Sequence, residues 1–344
     1  MDALTGYGIY ALTLASMGGI YAIFVLGLNI QWGFTGLFNA GVAGFIAVGA
    51  YTQALLTTPV SARHIGGIEL PIPLAMVIAM IFSAIVAYFI ARICVRLRSD
   101  YLAIATIGIA EILRLVFKNE LWATNGPRGV SQIPKAFEGT AEAWNLPPLL
   151  GKQNAWDQLA FLVMVLALVA VIYVLLERAR LSPWGRVMTA IRENEQAAAA
   201  AGKDIERFRV ESFVLGAALM GLGGALLAQY LKQIDPQVSD PLTATFLVWV
   251  MLIAGGSANN KGAILGAFLL WTVWSATQIL SGFLPNEIVV FGFEIGNLQV
   301  RSAYVRIFLI GLILQFILQQ RPEGLLPEQR PAPVGMGKPQ GERT

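Results

Sequence analysis

The sequence predicts an all-α fold: a polytopic transmembrane helical bundle of about nine spans, with a range of about 8–10. Three observations carry this. The 344 residues are 56% hydrophobic and only 13% charged, where a soluble domain carries about 25% charged residues. So few charges cannot cover a water-facing surface, and the helices must face lipid. Nine apolar stretches approach the roughly 20 residues needed to cross a bilayer. The basic residues sort unequally between alternate connections, as they do when cytoplasmic loops retain Lys and Arg.

The stretches are 7–30, 33–57, 71–91, 101–117, 159–176, 210–230, 242–254, 262–283 and 303–318. The first lacks a basic leader and exceeds the 7–15 apolar residues of a signal-peptide core, so it is expected to be a retained span. The seventh is short, and is expected to extend outward or be broken. Residues 288–295 are apolar but too short to span, and are expected to form an interfacial or re-entrant piece.

With the N-terminus outside, the inner connections and the tail hold fifteen Lys and Arg against seven in the outer ones. An odd number of spans with the C-terminus inside satisfies this bias. The organisation expected is one membrane domain, 1–320, with an external loop at 118–157 and a cytoplasmic loop at 177–209. The remainder, 321–344, reads as a cytoplasmic, largely disordered tail, because it turns polar and Pro/Gly-rich from Arg330 onward. The external loop holds Trp122, Trp144 and Trp156, and reads either as an interfacial lid or as a contact for an external partner.

Several function classes are excluded. The net charge is +3 without a dense basic run, so this is not a nucleic-acid binder. Cys94 is the single cysteine, so no intrachain disulfide can form, and His64 is the single histidine, which cannot build a metal site. No Gly-x-x-x-x-Gly-Lys-Ser/Thr phosphate loop, catalytic triad or paired-carboxylate site occurs. The chain is expected to bind no metal or cofactor and to catalyse nothing itself.

The inner loop is the most informative stretch. Ser182 is suited to cap a helix and Pro183 to its first position. Trp184, Val187, Met188 and Ile191 then recur at i, i+3, i+4 and i+7, one apolar face of a short helix. Arg186, Arg192 and Glu193 lie off that face, and Gly202 is placed to stop the Ala-rich run that follows. Such a helix either lies on the lipid surface or serves as a handle for a cytoplasmic partner.

The run Gln196-Ala-Ala-Ala-Ala-Ala-Gly202 resembles the EAA-x-x-x-G loop of ATP-binding-cassette importer permeases, with Gln in place of the first Glu. The preceding Ser182-Pro-Trp-Gly-Arg-Val-Met-Thr-Ala-Ile-Arg-Glu-Asn-Glu195 is similar to the loop of the branched-chain amino-acid permease family. Gly27-Leu-Asn-Ile-Gln-Trp-Gly-Phe-Thr-Gly36 and the stretch from Asn39 to Tyr51 resemble that family's second-span signature. The stretch from Arg98 to Arg114 resembles its fourth-span signature, Asn125-Gly-Pro-Arg-Gly129 its external motif, and Arg321-Pro-Glu-Gly-Leu325 its closing motif. The chain departs from the family at Asn259-Asn260-Lys261, where many members have a Gly-Pro-type turn, and at Asn125-Gly126, where Gly-Gly is commoner.

The resemblance implies a type II importer permease with the architecture of the vitamin-B12 importer, in a bacterial inner (plasma) membrane. Its partners would be a second homologous permease, two ATPases that use the ATP, and an external substrate-binding protein. The substrate would be a hydrophobic or neutral, branched-chain amino acid, or urea in a sister branch. The mechanism implied is alternating access driven through the inner loop. Trp184, Arg186, Val187, Met188, Ile191, Arg192, Glu195, Gln196, Ala197, Ala198 and Gly202 would then couple to the ATPase.

Charges inside a membrane usually face a cavity or each other. Glu111 and Arg114 are either a self-neutralising i, i+3 pair or flank the route of a zwitterion. Asn29, Thr35 and Asn39 are path candidates, because a polar, Gly-rich segment is tolerated at membrane depth where it is buried or lines a cavity. Arg306 is expected to snorkel. Gly262 with Gly266, and Ala217, Gly221 and Ala225, read as close-packing stripes. Two rival classes remain: an ion-coupled transporter, which would need Glu111 as its coupling acid, and a non-transporting scaffold.

Overall fold

The computed structural model describes residues 2–61, 64–149, 152, 154–282, 287–290, 293–296 and 298–328. The chain opens with α1 (Asp2–Leu28), which continues as a π-helical segment, Asn29–Phe34. Then come α2 (Val42–Thr57), α3 (Ile72–Cys94) and α4 (Ser99–Asn119). The connection after α4, expected outside, holds α5 (Leu121–Thr124), β1 (Val130–Ser131) and α6 (Thr140–Ala143). Next are α7 (Ala155–Leu181), the inner-loop helices α8 (Pro183–Glu193) and α9 (Glu195–Ala200), and α10 (Ile205–Leu231). After β2 (Gln233–Ile234), a second π-helical segment, Pro241–Phe246, leads into α11 (Leu247–Gly255). The chain continues with α12 (Asn260–Gly282), a hairpin of β3 (Glu287–Val290) and β4 (Phe293–Gly296), and α13 (Leu298–Gln320).

Among the described residues five helices are long and apolar enough to cross a membrane: residues 6–34, α3, α7, α10 and most of α12. α10 stands at the centre, against α1, α2 and α3, while α1 also meets α7 and α12. Large apolar side chains stay exposed on the outer helices, including Phe89 and Ile93 on α3, Leu175 on α7 and Phe308 on α13. In a multi-pass membrane protein these bands face lipid.

Small residues set the central crossings, as the stripes predict. A Cβ on Gly49 of α2 would lie 2.1 Å from the Gly221 carbonyl of α10, so the two backbones touch. At the α11–α12 crossing a Cβ on Gly262 would fall 2.6 Å from the Gly255 carbonyl. Lipid offers no hydrophobic drive for helices to associate, so close backbone approach supplies the van der Waals contact instead.

The first break differs from the one expected near residue 31. The helix runs on as a π turn to Phe34. Gly36, at φ +72°, then ends it with Gly36 N–H on Trp32 O and Leu37 N–H on Gln31 O, both 2.9 Å. The Gly36 N–H on Trp32 O is the C′-to-C3 bond of a left-handed glycine stop. α2 therefore begins only at Val42 and is 16 residues long, nearly all of them buried. The seventh stretch is likewise broken, π-helical before it is α-helical, and of residues 288–295 those described, 288–290 and 293–295, lie in β3 and β4.

Connections meet at two ends. At one, Arg192 reaches Gly33 and Glu328, and Arg92 and Arg96 pair with Glu206. At the other, β1 pairs antiparallel with β2, and Lys232 meets Glu138 at 2.5 Å. The Lys/Arg-rich connections thus share one end.

The outer loop is folded. Asn125, where Gly is commoner, takes the left-handed φ of +62° that Asn tolerates, and its Nδ2 donates to Gly129 O at 2.8 Å. The Lys135 ammonium lies 4.4 Å from the Phe161 ring centroid and 5.6 Å from that of Tyr230. Burial, with the Lys232 charge added, holds its pKa below the usual lysine range.

The closing motif docks. Leu325 N–H and Leu326 N–H donate to the last carbonyls of α11, Ala254 O at 2.9 Å and Gly255 O at 3.0 Å. The tail boundary expected at 320 therefore precedes a segment fixed as far as Glu328, because those orphan carbonyls need donors. The disorder expected from Arg330 onward lies outside the described residues.

Candidate functional site

The inner loop is built from three capped helices. The Ser182 hydroxyl accepts from Gly185 N, Asn194 Oδ1 from Ala197 N at 3.0 Å, and Asp204 Oδ1 from Arg207 N at 3.1 Å. Gly202, at φ +75°, ends α9. The apolar stripe of α8 turns toward the bundle and not outward. Met188 and Ile191 are buried, as is Ala198 of α9, so these three are unavailable to a partner. Trp184 is half-buried and its Nε1 donates to Glu211 at 2.9 Å, while Val187 is partly exposed. This face is buried against the bundle's own apolar surface, which removes it from water. Arg186, Glu195, Gln196, Ala197 and Gly202 remain exposed, together with Ala190 and Glu193. Arg192 reaches inward to Gly33 O and pairs with Glu328.

A groove of about 610 Å³ runs between α4, the 36–41 break with the first turn of α2, and the Pro241–Gly255 segment. Its walls are mostly apolar: Phe38, Ala43, Ile107, Phe246, Trp249 and Ile253. Glu111 opens onto it, held by Arg114 through two bonds, Nε to Oε2 at 2.8 Å and NH2 to Oε1 at 2.5 Å. Ile253 and Phe38 lie toward the inner-loop end, Ser239 and Pro241 toward the other, so the groove follows the length of the spans. A second cavity, about 500 Å³, lies at the β2 end between α1 and α10 and carries Tyr21, Asp235 and Gln237.

Of the five path candidates only Glu111 lines the groove. Asn29 donates to Asn260 Oδ1 at 3.0 Å and accepts from Ala258 N at 2.8 Å. Asn260 in turn donates to Glu177 of α7 at 3.0 Å. Thr35 bonds Gln31 O at 2.6 Å and the Ser212 hydroxyl at 3.0 Å, and Asn39 donates to Gln31 Oε1 at 2.8 Å. All three are buried and use their polar groups to hold the break between α1 and α2. Asn259, where the family has a Gly-Pro-type turn, caps α12 through Lys261 N at 3.0 Å and donates to Pro327 O at 3.0 Å. Arg306 does not point into open solvent alone; its guanidinium carbon sits 4.8 Å from the Trp274 ring centroid.

The aromatic wall escaped sequence reading. Trp32, Phe38 and Trp249 cluster with centroids 4.4–5.5 Å apart, from segments more than two hundred residues distant in sequence. The available signal was the short seventh stretch, 242–254, directly preceded by Asp240-Pro241, a capping residue followed by proline. Among the described residues no group of three or more His, Cys, Asp and Glu could hold a metal ion.

The chain resembles known proteins over nearly its whole length. The family described as branched-chain amino acid transport system / permease component matches residues 10–318. The high-affinity branched-chain amino acid transport system permease protein LivM of Escherichia coli (strain K12) is 32% identical over 329 residues, covering 92% of this chain and 70% of the relative. A probable LivM of Methanocaldococcus jannaschii is 27% identical, covering 90% and 91%. The LivH permease of E. coli (strain K12) is 23% identical, covering 79% and 85%. No solved structure matches the chain. With the family pattern spanning 10–318, the chain belongs to the branched-chain amino acid transport permeases.

Proposed function

We propose that this chain is a membrane permease subunit of an ATP-driven importer for branched-chain or other hydrophobic amino acids. The observation that carries the reading is the groove: an apolar trough along the spans with one carboxylate, Glu111, on its wall, neutralised by Arg114 beside it. Apolar walls favour a hydrophobic side chain over urea, which offers none to bury. Glu111 and Arg114 together supply both charges a zwitterion needs. Both Glu111 oxygens are engaged by Arg114, which counts against its use as an ion-coupling acid.

The reading places nine spans in an inner (plasma) membrane, N-terminus outside, in a type II importer arrangement. The groove is open along its side. Lipid is a poor cover for an ion pair whose side chains are 30% and 42% exposed. A second, homologous permease closes that side in the proposal, so that the path runs between the two chains. The exposed surface of α8 and α9, from Arg186 to Gly202, takes the ATPase. Met188, Ile191 and Ala198 support it from beneath, and the external loop faces a substrate-binding protein. Alternating access follows if ATP binding and hydrolysis in that partner move α8 and α9. This chain itself performs no chemistry in the scheme.

Uptake of labelled leucine into proteoliposomes tests it, with the chain, a second family permease, the ATPases and the binding protein present. ATP-dependent accumulation that disappears when this chain is omitted is the expected result. Accumulation driven by an ion gradient without the ATPases would sink the reading.

A further inference from the structure

One guanidinium joins three separate parts of the chain. Arg192, on α8, donates through NH2 to both carboxylate oxygens of Glu328, each at 2.8 Å, and through NH1 to Gly33 O. Gly33 lies in the π-helical segment that leads into the 36–41 break, one wall of the groove. Glu328 belongs to the docked segment after α13. That segment is hydrogen-bonded to Ala254 and Gly255 at the end of α11, the adjoining wall, and Pro327 O accepts from Asn259. The inner loop therefore holds both walls through one side chain.

We infer that Arg192 is the joint through which movement of α8 reaches both walls, and that Glu328 is the positioning residue that fixes its guanidinium. This rests on the proposal that a partner ATPase moves α8 and α9. The planar fork lets one arginine grip a carboxylate with one arm and a carbonyl with the other, which an ammonium cannot reproduce. Side-chain exposures of 20% and 23% mean that neither charge can be released cheaply to solvent, so the pair moves as a unit. Gly33 O is a carbonyl at the C-terminal end of its helix, where cations are favoured. Packing is close around it as well: a Cβ at Gly33 would fall 2.6 Å from Ala258 N, so the π segment lies directly against the α11–α12 turn.

The test uses the complete importer in proteoliposomes, with ATP hydrolysis and leucine uptake measured on the same preparation. Glu328→Ala is expected to keep hydrolysis within about twofold of wild type while uptake falls about tenfold, within the usual range of coupling between sites. Glu328→Gln, which keeps the shape and one acceptor oxygen, is expected to fall between them and serves if the alanine variant fails to assemble. The charge-swapped Arg192→Glu/Glu328→Arg double variant restores the ion pair but moves the guanidinium off α8, and is expected to stay uncoupled. Rescue of uptake by that swap, or an unchanged ratio of hydrolysis to uptake in Glu328→Ala and Glu328→Gln, would overturn the inference. A wild-type complex in which no ATPase activity depends on this chain would instead overturn the importer reading on which it rests.

Discussion

The backbone N–H of Ala43 donates to the hydroxyl of Thr245 at 3.0 Å, so the start of α2 is capped by a residue two hundred positions away, in the second broken segment. A few residues on, Trp249 Nε1 donates to Asn39 O, also at 3.0 Å. The first N–H groups of any helix have no partner within it, so at membrane depth α2 takes one acceptor from the second broken segment, and the Trp249 indole in turn satisfies a carbonyl of the first break. The groove lies where the two breaks face each other.

Replacing Thr245 by Val keeps the shape and removes the acceptor. The stranded Ala43 N–H is expected to cost about 1–3 kcal/mol. Thermal unfolding in detergent should show the loss for Thr245→Val and little change for Thr245→Ser.

The pair on the groove wall makes a second prediction. Arg114→Ala leaves the Glu111 carboxylate unpaired on the apolar groove wall, at a cost of about 2–3 kcal/mol if it stays ionised. The double variant Glu111→Ala/Arg114→Ala removes both charges and should be more stable than that single change. Uptake should fall in both. Equal stability of the single and double variants would mean that the pair does not sit in a low-dielectric site.

Inner-loop variants should divide by direction. Ile191 is buried, so Ile191→Asp is expected to lower the amount of folded chain, by several kcal/mol of lost burial and unpaired charge. Arg186→Glu on the exposed side should leave the melting temperature unchanged and weaken co-purification with an ATPase. Loss of both properties in Arg186→Glu would argue against an exposed docking surface.

Two glycines test the crossings. A Cβ on Gly49 meets the Gly221 backbone, whereas one on Gly108 meets nothing within 4 Å. Gly49→Val should destabilise by at least about 1–3 kcal/mol through overpacking. Gly108→Val should be near neutral. Folded yield after membrane extraction, by size-exclusion chromatography, distinguishes them.

The outer end should respond to acid. A hydrogen bond from Lys232, more than any other contact, holds the Glu138 carboxyl below the usual range, against a smaller opposing effect of burial. A folded pKa below the unfolded value means that the stabilisation is complete above the unfolded value, about 4.3. It is lost as pH falls through the folded value. Melting temperature measured through that acid window should drop less steeply in Glu138→Gln than in wild type.

Much of this was legible one residue at a time. Composition required a membrane bundle because thirteen charged residues in a hundred cannot cover a soluble surface. Periodicity drew α8, its Ser182 cap and its Gly202-terminated extension, since those signals are local. Small-residue stripes marked the crossings at Gly221 and Gly262. Tertiary structure alone decided which way the α8 stripe points, because inward and outward burial have the same period. It alone spent Asn29, Thr35 and Asn39 on holding a helix break, since their partners Asn260, Ser212 and Gln31 are set by packing. And it alone brought Arg192, Gly33 and Glu328 onto one point. The sequence determined the elements and their faces, because hydrophobicity and capping act within a few residues. The groove and its joint were decided by long-range contacts, because a buried polar group takes whichever partner the folded bundle places beside it.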